Sequence, residues 1–333
     1  MPMIMLLTTG SSTEGLGHIF RTLSLIAYIQ ATKTDSYCCV TPTEPQVTTI
    51  LSTYEINHKE YHNEESLLDI TKQLSPSHLV IDSRRIFTKT IIQAKAMGIR
   101  IIEIDCLHDD RLIADLNIYP NPHFQYEKLS WTGYQGQRVG GAAYTLVHPR
   151  FLTARQTIPP ITERKKILIS MGGSDPNCLT KRVLQWLDQL TPAPHVDVVI
   201  GPACPHASDI FAAAKNSAYP ITCHTDCHDL VPLMSQACLL ITTLGTTMYE
   251  SAVLKLPCIV INNFESDHTD SQQLALLPGF SPLGFYQHIT ASMLVETINR
   301  HIDQPQTLRN MSDAIGAVID GQGGHRIVDF IIQ

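Results

Sequence analysis

The sequence predicts an α/β protein built from two Rossmann-like, doubly wound domains. Three observations carry that prediction. Short apolar runs alternate with segments of helical period along almost the whole chain, as parallel strands and their crossover helices do. The alternation starts afresh after a proline-bearing stretch near residue 160. The chain is also 333 residues long, too many for one ordinary core and ample for two.

In the first half, 3–8, 37–41, 78–82 and 100–105 read as strands, and 17–31, 44–53, 64–74 and 86–97 as helices. Runs such as Leu79-Val80-Ile81 and Ile101-Ile102 show no polar alternation, which fits strands covered on both faces. From 106 to 140 the residues Pro120, Pro122, Gly133, Gly136, Gly140 and Gly141 loosen the pattern, leaving one short strand at 116–119. A further strand is expected at 142–147. Thr157–Thr162 holds the adjacent Pro159 and Pro160, which favour extended chain over helix, and reads as a linker. It separates an N-terminal domain, 1–156, from a C-terminal domain, 163–333. In the second half, strands are expected at 166–171, 195–200, 220–224, 238–242 and 257–261. Helices are expected at 177–188, 207–216, 228–236, 246–255, 268–276, 290–302 and 323–332. The last follows Gly321-Gln322-Gly323-Gly324 and reads as a docking helix, free to pack back on the N-terminal domain.

Composition narrows the function. Hydrophobic residues make up 44% and charged residues 17%, a globular balance. The net charge is -7 with no basic run, which argues against nucleic acid as a partner. No Lys or Arg precedes Arg21, so the apolar start lacks the charged region of a signal peptide, and no apolar run approaches the ~20 residues of a membrane helix. The nine cysteines, several in apolar runs, fit reduced thiols in a cytoplasmic protein. The stretch Cys223-His224-Thr225-Asp226-Cys227-His228 has zinc-type ligands but no second pair at finger spacing. A strand end and polar loop accounts for it without a metal.

The organising stretch is GLGHIFR, Gly15 to Arg21, between the first strand and the first helix. Backbone N–H groups at a helix start are unpaired and suit an anion. His18 adds a group able to exchange a proton near neutral pH. A dinucleotide fingerprint would need a third glycine where Phe20 stands, and an acid after the second strand, which ends Cys38-Cys39-Val40-Thr41-Pro42. Nor is there a Walker Gly-Lys-Ser/Thr. The plain alternative is a turn made by Gly15 and Gly17 with His18 capping the helix. Two strands end in aspartate, Asp82 and Asp105, and ligands in such sheets bind beyond the carboxyl ends of strands. Simple helix capping is the other reading of each. The second half repeats the strand–turn–helix logic twice, at Gly172-Gly173-Ser174 and at Gly245-Thr246-Thr247, both able to offer N–H groups and hydroxyls to a diphosphate without a metal. Glu250, one turn into the second of these helices, could accept from a ribose diol or merely complement the helix dipole.

Taken together, GLGHIFR, YTLVHPRF, MGGSD, TTLGTTMYESAVLKLPCIVI and DGQGGHRIV, in this order across nearly the whole chain, resemble the UDP-sugar hydrolases of the pseudaminic acid pathway. Relatives of that family are the spore-coat polysaccharide biosynthesis proteins. The resemblance implies a GT-B architecture with the active site in a cleft between the domains. It implies a metal-independent, cofactor-free enzyme that removes UDP from an activated amino-deoxy sugar. His18 matches the family's catalytic base, with Gly15 and Gly17 as its loop glycines and Arg21 on the substrate side. Asp82 matches the strand-end aspartate that orients water or sugar. Gly172, Gly173 and Ser174 match the interdomain turn, and Gly245, Thr246, Thr247 and Glu250 the uridine nucleotide segment. Where relatives continue Asp-His-Tyr, this chain reads Asp82-Ser83-Arg84-Arg85. A glycosyltransferase moving the sugar to a hydroxyl would use the same donor site and base. A non-catalytic nucleotide-sugar binder is the third expectation.

Overall fold

The computed structural model describes residues 3–11, 16–41, 44–192, 194–225 and 227–332. The chain divides into two units, Met1–Pro149 with Gly321–Gln333, and Arg150–Asp320. The first change of unit therefore lies at residues 149 and 150, upstream of Pro159-Pro160.

The first unit holds β1 (Met3–Thr8), β2 (Asp35–Val40), β3 (His58–Glu60), β4 (His78–Asp82), β5 (Arg100–Ile104), β6 (Leu116–Tyr119) and β7 (Gln137–Gly140). They form one parallel sheet in the order β3-β2-β1-β4-β5-β6-β7. One face packs Ile4, Leu6, Ile102, Ile104 and Ile118 against the helices Gly17–Ala31 and Pro45–Thr53 and against Ile327, Val328 and Ile331 of the last helix. The other packs Met5, Leu7, Leu79, Ile81 and Ile101 against Glu64–Leu74 and Thr88–Ala96. Alternate residues of each strand serve opposite faces, and both faces are covered, which is why the inner strands are mostly apolar.

The last helix, Gly323–Ile332, belongs to this unit because two glycines let it approach closely. A Cβ on Gly323 would lie 2.2 Å from the Thr145 carbonyl oxygen, and one on Gly324 2.1 Å from the Tyr28 ring. The segment expected as a strand at 142–147 is instead a short 3-10 turn, Ala142–Tyr144, followed by chain that belongs to no strand. It forms the bed of that helix: Arg326 donates to the Ala143 carbonyl at 2.8 Å.

The second unit holds β8 (Lys166–Ser170), β9 (His195–Val199), β10 (Ile221–His224), β11 (Ala237–Thr243), β12 (Cys258–Asn262) and β13 (Phe280–Phe285), parallel in the order β10-β9-β8-β11-β12-β13. The fold is thus two Rossmann-like doubly wound α/β units, as expected from sequence. Local signals set several helix starts. Asn63 and Ser66 form a reciprocal capping box before Glu64–Leu74, Thr290 accepts from Met293 N before Ala291–Ile302, and Pro305 opens Pro305–Val318.

Candidate functional site

Each sheet reverses its winding at one point. In the first unit the chain runs from β1 outward to β2 and β3, then returns to β4 on the other side of β1. Crevices at the carboxyl ends of such flanking strands are where open α/β sheets hold ligands. His18 lies on the helix that follows β1. Asp82 is the last residue of β4, in register with Thr8. Winding and register bring these two together across 64 residues of sequence.

The contact is direct. His18 Nδ1 lies 2.6 Å from Asp82 Oδ1. Arg21, one turn further along the same helix, donates from Nε to Asp82 Oδ2 at 2.7 Å and from Nη2 to Oδ1 at 2.6 Å. Its Nη1 donates to Asp105 Oδ2 at 3.0 Å, and Asn121 Nδ2 reaches the two Asp105 oxygens at 3.2 and 3.1 Å. Arg21 and Asp82 are buried, whereas His18 keeps an open edge, its side chain 14% exposed. Burial by itself would raise the Asp82 pKa; the Arg21 charge and hydrogen bond, with His18 beside them, outweigh it and pull the pKa down to about 2. Burial likewise opposes the Arg21 charge, and Asp82 and Asp105 more than compensate.

These facts fix the histidine's chemistry. An ionised carboxylate can only accept, so Nδ1 of His18, which also lies 3.2 Å from Arg21 Nη2, donates to Asp82, and in a neutral ring Nε2 is then the acceptor. That is the arrangement of a general base oriented by a carboxylate. The helix start beside it, Leu16 to His18, has no side-chain cap among the described residues, and a Cβ on Gly17 would meet nothing within 4 Å. Gly15 lies outside the described residues. Beyond Asp82, Ser83 is buried and shares a 3.0 Å hydrogen bond with Thr9, while Arg84, Arg85 and Ile86 are exposed. Glu103, two residues before Asp105, is fully buried, and neither of its oxygens meets a hydrogen-bond partner among the described residues. Burial, reinforced by the charges of Asp110 and Asp82, pushes its pKa well up.

In the second unit the winding reverses between β8 and β11. The turns following these strands, Gly172-Gly173-Ser174 and Leu244-Gly245, are therefore neighbours, tied by a 2.6 Å bond from Thr242 Oγ1 to the Ser170 carbonyl. Gly172 has φ +82°, a left-handed turn that suits glycine. Gly201 buttresses this turn, since a Cβ there would lie 2.4 Å from the carbonyl oxygens of Gly172 and Gly173. The two turns differ in what they leave free. The helix after the first, Leu179–Leu187, is already capped: Asp175 accepts from Leu179 N at 2.7 Å and Thr180 N at 3.0 Å. The helix after the second, Thr246–Val253, starts at Gly245, which has no side chain to cap it, and no other side chain is recorded on its first N–H groups among the described residues. The N–H groups at its start, with the Thr246 and Thr247 hydroxyls, are the stronger candidate anion-binding feature.

Glu250 lies on that same helix. Burial pushes its pKa up to about 7, with Arg150 opposing the rise and Asp229 adding to it. Near the end of β12, Asn262 is buried and its Nδ2 finds no acceptor among the described residues. In the zinc-type stretch, His224, on β10, faces Asp197 at 3.0 Å, and Asp226 is outside the described residues. No metal-ligand cluster occurs among the described residues.

Sequence reading named His18, Arg21 and Asp82 without their contacts. The strand-end pattern puts Asp105 on the same rim as Asp82 and His18, with helix capping as the alternative, but gives no sign of Asn121 or Asn262. The available signal was positional, since Asn121 and Asn262 follow or close β6 and β12 at the carboxyl edge of their sheets.

No protein-family model matches the chain. The spore coat polysaccharide biosynthesis protein SpsG of Bacillus subtilis is 26% identical over 190 residues, 56% of each chain. The chain spans about half the length of the curated relatives it matches. Among solved structures, MurG of Acinetobacter baumannii matches with a TM-score of 0.72 at 16% identity, over 100% of this chain and 99% of that one. The UDP-GlcNAc 2-epimerase of Neisseria meningitidis, solved with UDP-GlcNAc bound, matches with a TM-score of 0.66 at 14% identity, over 99% of each. At these identities the likeness is one of fold.

Proposed function

We propose that this chain is a nucleotide-sugar enzyme that releases UDP from a UDP-activated amino-deoxy sugar by hydrolysis, in nonulosonic acid or surface polysaccharide biosynthesis. The observation that carries the reading is the His18–Asp82 pair at the winding reversal of the first sheet, in which Nδ1 is the ring nitrogen held by Asp82. The SpsG relative and the UDP-GlcNAc held by a structure of the same fold support the substrate class.

In this reading the second unit holds the nucleotide. The N–H groups from Gly245 to Thr247, the Gly172-Gly173-Ser174 turn and the threonine hydroxyls meet the diphosphate charge and stabilise it as it leaves. Glu250 accepts from the ribose. His18 Nε2 takes a proton from water as the water oxygen bonds to the anomeric carbon. The bond from that carbon to the UDP oxygen breaks, and its electron pair departs on the β-phosphate. Asp82 holds the imidazole in the required tautomer and balances its charge. Arg21, whose described contacts are all with the cluster, serves the sugar side by fixing Asp82. No metal or cofactor enters this scheme, and neither nucleic acid nor a membrane span is part of it; no described helix is long and apolar enough to cross a membrane.

Transfer of the sugar to an acceptor hydroxyl is the second reading, favoured by the exposed Arg84 and Arg85 beside Asp82. Purified protein with a panel of UDP-amino sugars in EDTA, without acceptor, followed by NMR for UDP and free sugar, separates the two. Free sugar in the wild type, lost by about 10²–10⁴-fold in His18→Ala with UDP affinity retained, is the expected result. UDP binding with no sugar release across the panel overturns the hydrolase and turns the search to acceptors.

A further inference from the structure

Arg21 touches both Asp82 and Asp105, and the two contacts have opposite consequences for His18. A guanidinium that takes both oxygens of Asp82 spends the charge that would support a proton on the histidine. Counting the buried cluster with His18 neutral, Arg21 and Asp82 alone sum to zero; Asp105 makes the sum minus one. Protonating His18 then brings the cluster to neutrality instead of to a net positive charge.

We propose that Asp105 is a positioning residue that, through Arg21, restores the negative charge on which the His18–Asp82 pair depends. The backbone supports the assignment. Asp105 sits at φ +60°, a left-handed conformation that side chains seldom adopt, directly after β5. Its N–H is tied to the Ile118 carbonyl at 2.9 Å, and its carboxylate is pinned between Arg21 and Asn121. The twist directs the carboxylate onto Arg21. Other charged groups on the neighbouring elements do not substitute for it. Burial and the neighbouring carboxylates push the Glu103 pKa well up, Arg84 and Arg85 are exposed, and Asp110 is bound by Phe87 N and Thr88 Oγ1 with His108 Nδ1 at 3.6 Å. The kinetic consequence rests on His18 being the base; the electrostatic one does not.

The test is a titration of His18 by NMR in the full, ¹⁵N-histidine-labelled chain, which needs no substrate. In Asp105→Asn, which keeps the side chain's shape, the His18 midpoint falls by at least about 0.5 pH unit, about threefold in proton affinity. In Arg21→Gln/Asp105→Asn, which returns the cluster sum to minus one, the midpoint moves back toward wild type. Where UDP release is measurable, the acid limb of kcat/KM follows the same order. An unmoved midpoint in a folded Asp105→Asn chain overturns the proposal, as does a double variant no closer to wild type than the single. If Asp105→Asn fails to fold, the double variant alone decides: a midpoint more than about 0.5 unit from wild type overturns the proposal. A chain that shows these shifts but releases no sugar leaves the charge relay standing and removes the hydrolase.

Discussion

Gly324→Ala is expected to destabilise the first unit selectively. A Cβ at this position would lie 2.1, 2.3 and 2.5 Å from three ring carbons of Tyr28. Ordinary carbon–carbon contact is about 3.5–4.0 Å, so the shortfall is on the order of 1.4 Å. The ring has nowhere to go. Tyr28 is 2% exposed on the helix Gly17–Ala31, and its ring packs edge-on against His325 at 4.8 Å. Overpacking of this kind costs about 1–3 kcal/mol, and the gain from replacing glycine in a first helical turn offsets less than about 1 kcal/mol. A net loss of about 1–2 kcal/mol lowers the melting temperature of a unit this size by about 2–8 °C. The chain's two tryptophans, Trp131 and Trp186, fall one in each unit. Trp131 emission in a Trp186→Phe background therefore reports the first unit alone. Adding Gly324→Ala to Tyr28→Ala should cost under about 0.5 kcal/mol, because the ring it strikes is gone. A drop of less than about 1 °C in the single variant, or full additivity with Tyr28→Ala, would refute the close-approach argument.

Three further outcomes follow from the same structure. Asp82 falls from 3.8 to about 2 on folding, so its contribution, about 2 kcal/mol, is present above pH 4 and lost as pH drops through 2. Urea midpoints by Trp131 emission at pH 6 and 2.5 should diverge more in wild type than in Asp82→Asn, and equal slopes would sink the assignment. Glu250 rises from 4.5 to about 7, so its contribution to the second unit's stability is greatest below pH 4.5 and is lost as pH climbs through 7. Glu250→Gln should flatten that decline, read through Trp186; an unchanged decline assigns it elsewhere. Asp175→Ala removes the cap of Leu179–Leu187 and should cost about 1–2 kcal/mol, read by Trp186 on that very helix, with Asp175→Asn recovering most of it. If alanine and asparagine behave alike, the side-chain cap is not what holds the helix start.

The interior of each sheet was legible because parallel strands covered on both faces must be apolar throughout. β1, β4, β5, β8, β11 and β12 carry such runs, broken only by single polar residues such as Glu103, and the pattern predicts each near its observed bounds. What escaped were edge strands. β3 is His-Lys-Glu, β7 is Gln-Arg-Val-Gly, and β13 contains Pro282 and Gly284. An edge strand pairs on one side only, so it tolerates charge and proline, and its sequence loses the signal of burial. The helix Pro305–Val318 escaped because its apolar face is broken by Ser312 and Gly316, both of which meet Lys255: Ser312 donates to its carbonyl, and a Cβ on Gly316 would strike its side chain.

By itself the sequence determined which residue types stand at the carboxyl ends of which strands. It put a histidine and an arginine one turn apart on the first helix, an aspartate at the end of β4, and small residues at two turns of the second half. Those are local facts, set by periodicity and turn chemistry. Their meaning was decided by winding order and register, which bring residues 18, 82, 105 and 121 into one hydrogen-bonded cluster. Only tertiary structure could direct Arg21 onto two carboxylates, cap one helix start with Asp175 and leave the other open. A helix or strand is chosen by its neighbours in sequence, but a charge pair is chosen by which strand ends the sheet places side by side.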